Sequence, residues 1–342
     1  MIGRILKLRK AGVLGLNARN GDYIFNYNQR KYYPLVDDKI LCKERMLREN
    51  LPVPDLIGVI REMHEVADVE EMIGDLKEFV VKPANGSGGD GILVILGRQG
   101  DYFLDADGTM IDQATLEHHI TNVIGGIYSL GGQPDAAMIE SLVHFDPVFS
   151  RLTYHGVPDI RVIVFKGYPV MAMSRLPTRR SHGKANLHQG AIGVGIDLGS
   201  GITMGGVSGN SAVSHHPDTG SPIEGFQVPG WEQILDMSAR CYEAVCLGYL
   251  GVDIVLDRDL GPLILELNAR PGLNIQIANR RGLRHRLDAV DSLGDVHESP
   301  AERALWSMNV LGEAKKETGA ESQAEPPPQL KVDSAGPDQA TP

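Results

Sequence analysis

Apolar positions recur at helical spacing in two long stretches. One is Gln113–Ile124, with Leu116, Ile120, Val123 and Ile124 on one face. The other is 231–247, with Ile234, Met237, Cys241 and Val245 on one face. A third helix is predicted over 37–50, DDKILCKERMLREN, with Asp37 or Asp38 as its cap and Asn50 before LPVP as its end. Short apolar runs over 78–82, 92–96 and 137–143 predict strands, and 159–175 predicts two strands around a turn at 166–169. DADG at 105–108 is a turn, because it lacks the third acidic ligand and closing Glu of a calcium loop. The stretch 181–210 is rich in Gly, Ser and His and reads as a long functional loop. Beyond about Val310, Glu, Pro, Gln, Ala and Gly dominate, which predicts disorder.

The pattern over 251–272, GVDIVLDRDLGPLILELNARPG, is a hairpin. With a four-residue turn at 258–261, Asp253 stands opposite Glu266, Ile254 opposite Leu265, Val255 opposite Ile264 and Leu256 opposite Leu263. Side chains alternate across a strand, so one face carries Ile254, Leu256, Leu263, Leu265 and Leu267. The other carries Asp253, Glu266 and Asn268 at one end. Directly opposed Cβ atoms lie about 4.5–5.5 Å apart, so the two carboxylates repel each other unless a cation sits between them. Three oxygen donors without His or Cys suit Mg²⁺ or Mn²⁺. The alternative, two half-exposed polar strand ends, is weakened by Glu266 lying between Leu265 and Leu267.

VVKPANGSGGDGILVI, residues 80–95, matches G-x-G-x-x-G through Gly86, Gly88 and Gly91. A dinucleotide fingerprint needs a helix after the glycines, and here a strand follows. The arrangement is strand, loop, strand, with Lys82 at the end of the first strand. Such a loop can fold over phosphates through its backbone N–H groups; an exposed flexible hairpin is the plainer alternative.

Composition narrows the classes. With 42% hydrophobic and 23% charged residues, the 342-residue chain is ordinary globular protein. The net charge is −11, and the six acidic and three basic residues of 313–342 account for only −3 of it. An acidic body argues against nucleic acid as a partner. Three cysteines give no disulfide framework, and Cys241 and Cys246 fall on one predicted helix without facing each other; a cytoplasmic protein fits. No apolar run reaches the roughly 18 residues of a membrane span. The first nineteen residues hold five basic residues and no acid, which reads as a surface helix or as a contact with a membrane or protein partner. The adjacent pairs His118–His119 and His215–His216 diverge and do not suit a metal.

Taken in order, the motifs resemble the ATP-grasp ligases. DKILCKERMLRENLPVP resembles the family's opening helix, VVKPANGSGGDG its flap, MIESLV the strand and hinge at adenine, and LELNARPGL its metal motif. DIRVIVF and KANLHQGA resemble the RimK-like alpha-L-glutamate ligase branch. The resemblance implies an α/β (α+β) fold in two lobes with ATP between them. It divides the chain into a short segment at 1–36, a grasp domain at 37–290 with lobes meeting near 138, a helical extension at 291–312 and a disordered tail at 313–342. Only 38 residues precede Lys39, too few for the α/β domain that usually precedes the grasp in this branch, so the acceptor is not carried over. ARPG also stands where many relatives have a small residue in place of Arg270.

The activity implied is ATP-dependent joining of an amino-acid carboxylate to an amine through an acyl phosphate. Lys39 and Lys82 would bind phosphates under a lid made of Gly86, Ser87, Gly88, Gly89 and Gly91. Glu140, Ser141 and Leu142 would meet adenine, and Asp159 the ribose. Lys184 and Asn186 would serve the phosphate or metal side, and His188 the substrate side. Arg161 or Arg175 would stabilise the acyl phosphate, a structural salt bridge being the alternative for Arg161. Arg270 would bind the donor carboxylate or cap the following segment. Asp253, Glu266 and Asn268 would hold Mg²⁺. A partner protein or a second subunit completing the site is left open, as are two rival activities, a non-catalytic ATP-binding scaffold and a phosphotransferase.

Overall fold

The computed structural model describes residues 2–313 apart from Ser87, Leu130 and Asn210, so Ser87 and the predicted tail beyond Glu313 lie outside the described residues. Helix α1 (Ile2–Lys10) leads into α2 (Lys39–Arg48), where Asp38 is the cap and accepts from the amides of Ile40 and Leu41. A first antiparallel sheet contains β1 (Leu56–Ile60), β2 (Phe79–Pro83), β3 (Leu93–Gln99), β4 (Tyr102–Asp105), β5 (Met110–Asp112) and β6 (Ala137–Glu140), in the order β1-β6-β2-β3-β4-β5. Helix α3 (Gln113–Ile124) has the predicted limits because Asp112 caps it. Its apolar face, Leu116, Ile120, Val123 and Ile124, fills the core with Phe79 and Phe103.

The second sheet contains β7 (Asp159–Phe165), β8 (Tyr168–Leu176), β9 (Ile192–Ile196), β10 (Thr203–Ser208), β11 (Ser211–Val213), β12 (Tyr249–Asp257) and β13 (Gly261–Asn268). Its order is β11-β10-β9-β8-β7-β12-β13. Helix α4 (Trp231–Val245) covers it, followed by α5 (Arg284–Asp291) and α6 (Pro300–Leu311). Two predicted features are corrected here. The stretch 181–210 contains β9 and β10, so it is no long loop. Its glycines permit close packing: a Cβ on Gly195 would stand 2.8 Å from the Ala278 carbonyl oxygen, and one on Gly206 2.6 Å from Ile223. Helix α4 also stops before Cys246, which turns left-handed at φ 54°, so Cys246 lies outside the helix that buries Cys241.

The hairpin register is right at its functional end and wrong at its tip. Gly251 pairs with Asn268, Val252 with Leu267 and Asp253 with Glu266. Ile254 then pairs with Ile264, Val255 with Leu263 and Leu256 with Pro262, through a register shift after Asp253. The shift leaves Leu265 as the extra residue of a bulge and shortens the connection to 258–260.

Part of the short N-terminal segment packs into the body of the protein. Leu14, Tyr23 and Ile24 belong to the core of the second sheet. Asn28 is buried, donates to the carbonyls of Tyr249 (2.7 Å) and Ala269 (3.1 Å), and accepts from the Tyr249 amide (2.8 Å). It therefore ties the segment to β12 and to the residue after β13. Helix α2 joins the second-sheet core through Cys42 and Met46 to a separate small cluster of Ile40, Ala84, Ala136 and Met138 at the first sheet. Asn28→Ala leaves three buried backbone groups unpaired. It is expected to lower stability by about 2–4 kcal/mol, read as a drop in the urea midpoint with an unchanged m-value.

Candidate active site

Lys39 begins α2, Lys82 is the penultimate residue of β2, Glu140 ends β6 and Glu266 lies on β13. All four line one pocket, with Cys42 and Lys43 beside them. The fold thus brings together residues up to 227 positions apart. The Lys39 Nζ donates to the Gly86 carbonyl at 2.5 Å, which places it under the glycine loop. Burial lowers the Lys39 pKa, and the nearby Glu266 carboxylate opposes that shift. Burial likewise lowers Lys43 against the pull of Glu140.

Glu140 is placed differently from its expected role. Its carboxylate is buried between the ammonium groups of Lys43 and Lys82, so it organises cations and does not stand free for adenine. Lys43 escaped the sequence reading, although its position one turn after Lys39 on the same helix was the available signal. Ser141 exchanges hydrogen bonds with Asp55: its amide donates to the Asp55 carbonyl, and its Oγ accepts from the Asp55 amide, both at 2.9 Å. Leu142 follows in the half-buried connection between the sheets.

The glycine loop is the turn between β2 and β3. Gly88, Gly89 and Gly91 have φ of 71°, 81° and 75°, a region that side chains disfavour. A Cβ on Gly91 would also stand 2.5 Å from the Tyr128 ring. Two anchors were missed from sequence. His119 Nε2 pairs with the Gly91 carbonyl oxygen (3.0 Å), and Asp135 accepts from the amide and side chain of Asn85. On the other side, Lys184 reaches Asp90 at 3.5 Å, and Asn186 lies near Gly88. The loop and the 184–191 segment therefore meet. Asn186 Oδ1 also accepts from the His188 amide (3.0 Å), while the His188 side chain is exposed.

Asp253 occupies the middle of a buried charge array. Arg161 donates to it through Nε (2.7 Å) and Nη2 (2.5 Å), and Arg175 through Nη2 (2.8 Å). Arg175 also forks onto Asp159, with its Nε at 2.6 Å. Asp159 is thus a buried partner of Arg175, which removes it from a ribose-binding position. Burial alone would raise Asp253, but Arg161 and Arg175 hold it well below the usual carboxylate range. Burial pushes Asp159 up to about 6, against the pull of Arg175. The salt-bridge alternative for Arg161 describes its contacts. The positive charge that the sequence argument demanded beside Asp253 is supplied by guanidinium groups.

The donor set still fits a divalent cation in part. Glu266 is half-buried, and the Asn268 amide nitrogen lies 3.5 Å from Glu266 and 3.3 Å from Asp253. Mg²⁺ takes one or two carboxylates and completes its shell with phosphate oxygens. Glu266 and the Asn268 side-chain oxygen meet that need, while Asp253 is committed to the arginines. Among the described residues no cluster of three or more His, Cys, Asp or Glu is arranged for a metal.

Beside this region an open cleft of about 910 Å³ runs between the N-terminal segment, Asn85 and Arg270. The Arg270 guanidinium lies over the Tyr33 ring at 4.6 Å, and Arg30 and Asp37 line the same cleft. Among the described residues neither arginine has a carboxylate within 4 Å.

The sequence model of a family described as sugar-transfer associated ATP-grasp matches residues 18–292. No curated protein matches the chain. Among solved structures, ATP-grasp ligase PsnB complexed with minimal precursor aligns at 15% identity and TM-score 0.41, over 78% of this chain and 62% of that one. A RimK domain ATP-grasp protein from Sphaerobacter thermophilus DSM 20745 aligns at 14% identity and TM-score 0.43, over 78% and 70%. D-alanine–D-alanine ligase from Bacillus anthracis aligns at 16% identity and TM-score 0.41, over 81% and 69%. The chain spans about three-fifths of the length of PsnB.

Removing Arg161 leaves Arg175 alone to neutralise both Asp159 and Asp253 in the interior. Arg161→Met is expected to destabilise the protein by about 3–5 kcal/mol. The double variant R161M/D253N should lose less than R161M alone in denaturant unfolding, because one buried carboxylate, Asp159, then faces one guanidinium, Arg175.

Proposed function

The chain belongs to the sugar-transfer associated ATP-grasp family, and from that premise we propose that it is an ATP- and Mg²⁺-dependent carboxylate–amine ligase of the cytoplasm. It joins an amino acid such as L-glutamate to a peptide, protein or small amine. The observation that carries this reading is the pocket in which Lys39, Lys82 and Glu266 come together.

The chemistry requires charge neutralisation and alignment, with no covalent nucleophile on the protein. A carboxylate oxygen attacks the γ-phosphorus of ATP, giving an acyl phosphate and ADP. An amine then attacks the acyl carbon, and phosphate leaves as the amide forms. In this reading Lys39 and Lys82 bind phosphate oxygens, and the 86–91 loop closes over them and excludes water. Glu266 and Asn268 would hold Mg²⁺, which would supply neutralising charge at the phosphates.

Arg161 and Arg175 are each fixed through Nε and Nη2 by the aspartates, and no partner for Nη1 occurs among the described residues. Those Nη1 groups are the donors left for an acyl phosphate, held in place by Asp253 and Asp159. Lys184 and Asn186 bear on the phosphates from the far side of the loop, and His188 on the substrate. Arg270, which lines the 910 Å³ cleft, takes the donor carboxylate; the volume falls within the roughly 300–1,000 Å³ of small-molecule sites.

Two experiments test this. Purified protein is incubated with ATP, Mg²⁺ and a cell extract, and products are compared by mass spectrometry with a Glu266→Gln control. New amides formed with ADP are expected from the wild type alone. The variant should lose at least about a hundredfold in turnover and melt at an unchanged temperature, and EDTA should stop the wild type. Retained activity of Glu266→Gln at saturating Mg²⁺ sinks the metal assignment, and a stable phosphate ester in place of an amide indicates a phosphotransferase. Once the substrate is known, Arg270→Gln should raise the KM of the carboxylate substrate about tenfold and leave that of ATP within about twofold.

A further inference from the structure

The protein is acidic, yet its first nineteen residues carry Arg4, Lys7, Arg9, Lys10 and Arg19 without an acid. The fold adds to this bias. The end of α1 packs on the basic stretch 280–286, RRGLRHR: the Arg284 amide donates to the Gly12 carbonyl (2.9 Å), and His285 Nε2 pairs with the Lys10 carbonyl oxygen (3.2 Å). A Cβ on Gly282 would stand 2.1 Å from the Gly12 carbonyl carbon, so only glycine permits this approach. Two segments about 270 residues apart thus bring exposed cations together, while Arg286 is buried against the Val170 carbonyl and takes no part.

The acids beside this face are few. Asp22 pairs with Arg284 (3.1 Å) and Glu313 with Arg281 (2.7 Å), and Asp288 is bound to Tyr23. Among the described residues Lys7, Arg9, Lys10 and Arg280 have no carboxylate within 4 Å. The same segment holds apolar side chains in solvent: Leu6 is 59% exposed, Leu8 54% and Leu16 57%.

Exposed leucines among unpaired cations are what an anionic bilayer recognises. The cations meet lipid headgroups, and Leu6, which shares its helix face with Arg9 and Lys10, enters the headgroup–acyl boundary. A soluble polyanion would use the charges and leave the leucines in water. We propose that helix α1 and the 280–284 loop together dock this protein on an anionic membrane surface. The docking does not depend on the ligase reading. The segment that docks continues into the wall of the substrate cleft, where Phe25 is 81% exposed.

The test is co-sedimentation of the full chain with vesicles of phosphatidylcholine, with and without phosphatidylglycerol. Binding is expected only with phosphatidylglycerol and should weaken steeply with salt. The charge reversal K7E/R9E/K10E should lower partitioning about a hundredfold, and L6S/L8S about tenfold. Both variants should melt at the wild-type temperature. Four results would overturn the proposal: no binding to anionic vesicles at low salt, equal binding to pure phosphatidylcholine, binding unchanged in K7E/R9E/K10E, or vesicle binding unchanged in L6S/L8S with polyglutamate bound as tightly.

Discussion

A carboxylate in the middle of a sheet must be neutralised, and Asp253 meets that requirement with two guanidinium groups. Strands β7, β8 and β12 lie side by side, so Arg161, Arg175 and Asp253 come from three adjacent strands. Asp159 completes the array and balances the charge at two against two. Desolvation makes each member costly alone, so the array holds only as a unit. Its consequence for the site is orientation. The arginines are aimed by their aspartates, and Asp253 fixes the end of the hairpin that carries Glu266 and Asn268.

The same hairpin joins the rest of the molecule. Its bulge at Leu265 changes register beyond Asp253 and leaves the Asp253–Glu266 pairing intact. Pro52, after α2, accepts from the Ile264 amide, and Asn28 grips Tyr249 and Ala269. Helix α2, the N-terminal segment and the second sheet are therefore one packed body at the pocket. The glycine loop is held differently, by Lys39, His119 and Asp135 at its base and by Lys184 across the gap. A loop anchored at its base and loosely bridged at its tip can open without disturbing the cations beneath it.

The N-terminal segment links the pocket to the molecular surface. Leu14 exchanges hydrogen bonds with Gln276, Arg19 donates to the Pro271 carbonyl, and Tyr33 supports Arg270. The segment thus supplies one wall of the cleft as well as the basic, leucine-bearing face outside it.

Local chemistry made much of this legible in the sequence. The period of Leu116, Ile120, Val123 and Ile124, with Asp112 before them, set a helix whose limits needed no tertiary information. The strand after Gly91 excluded a dinucleotide fold, and the alternation around Asp253 and Glu266 paired those two residues, because side-chain direction in a strand is a local property. What the sequence could not contain was who neutralises whom. Lys43 and Lys82 closing on Glu140, and two arginines closing on Asp253, depend on strand order and helix placement, which no local period encodes. The bulge at Leu265, the strands hidden in a glycine-rich stretch, and the meeting of α1 with residues 280–286 are of the same kind. Each is decided by contacts across tens or hundreds of residues, where close packing and the cost of an unpaired buried charge select one arrangement among many that the local sequence allows.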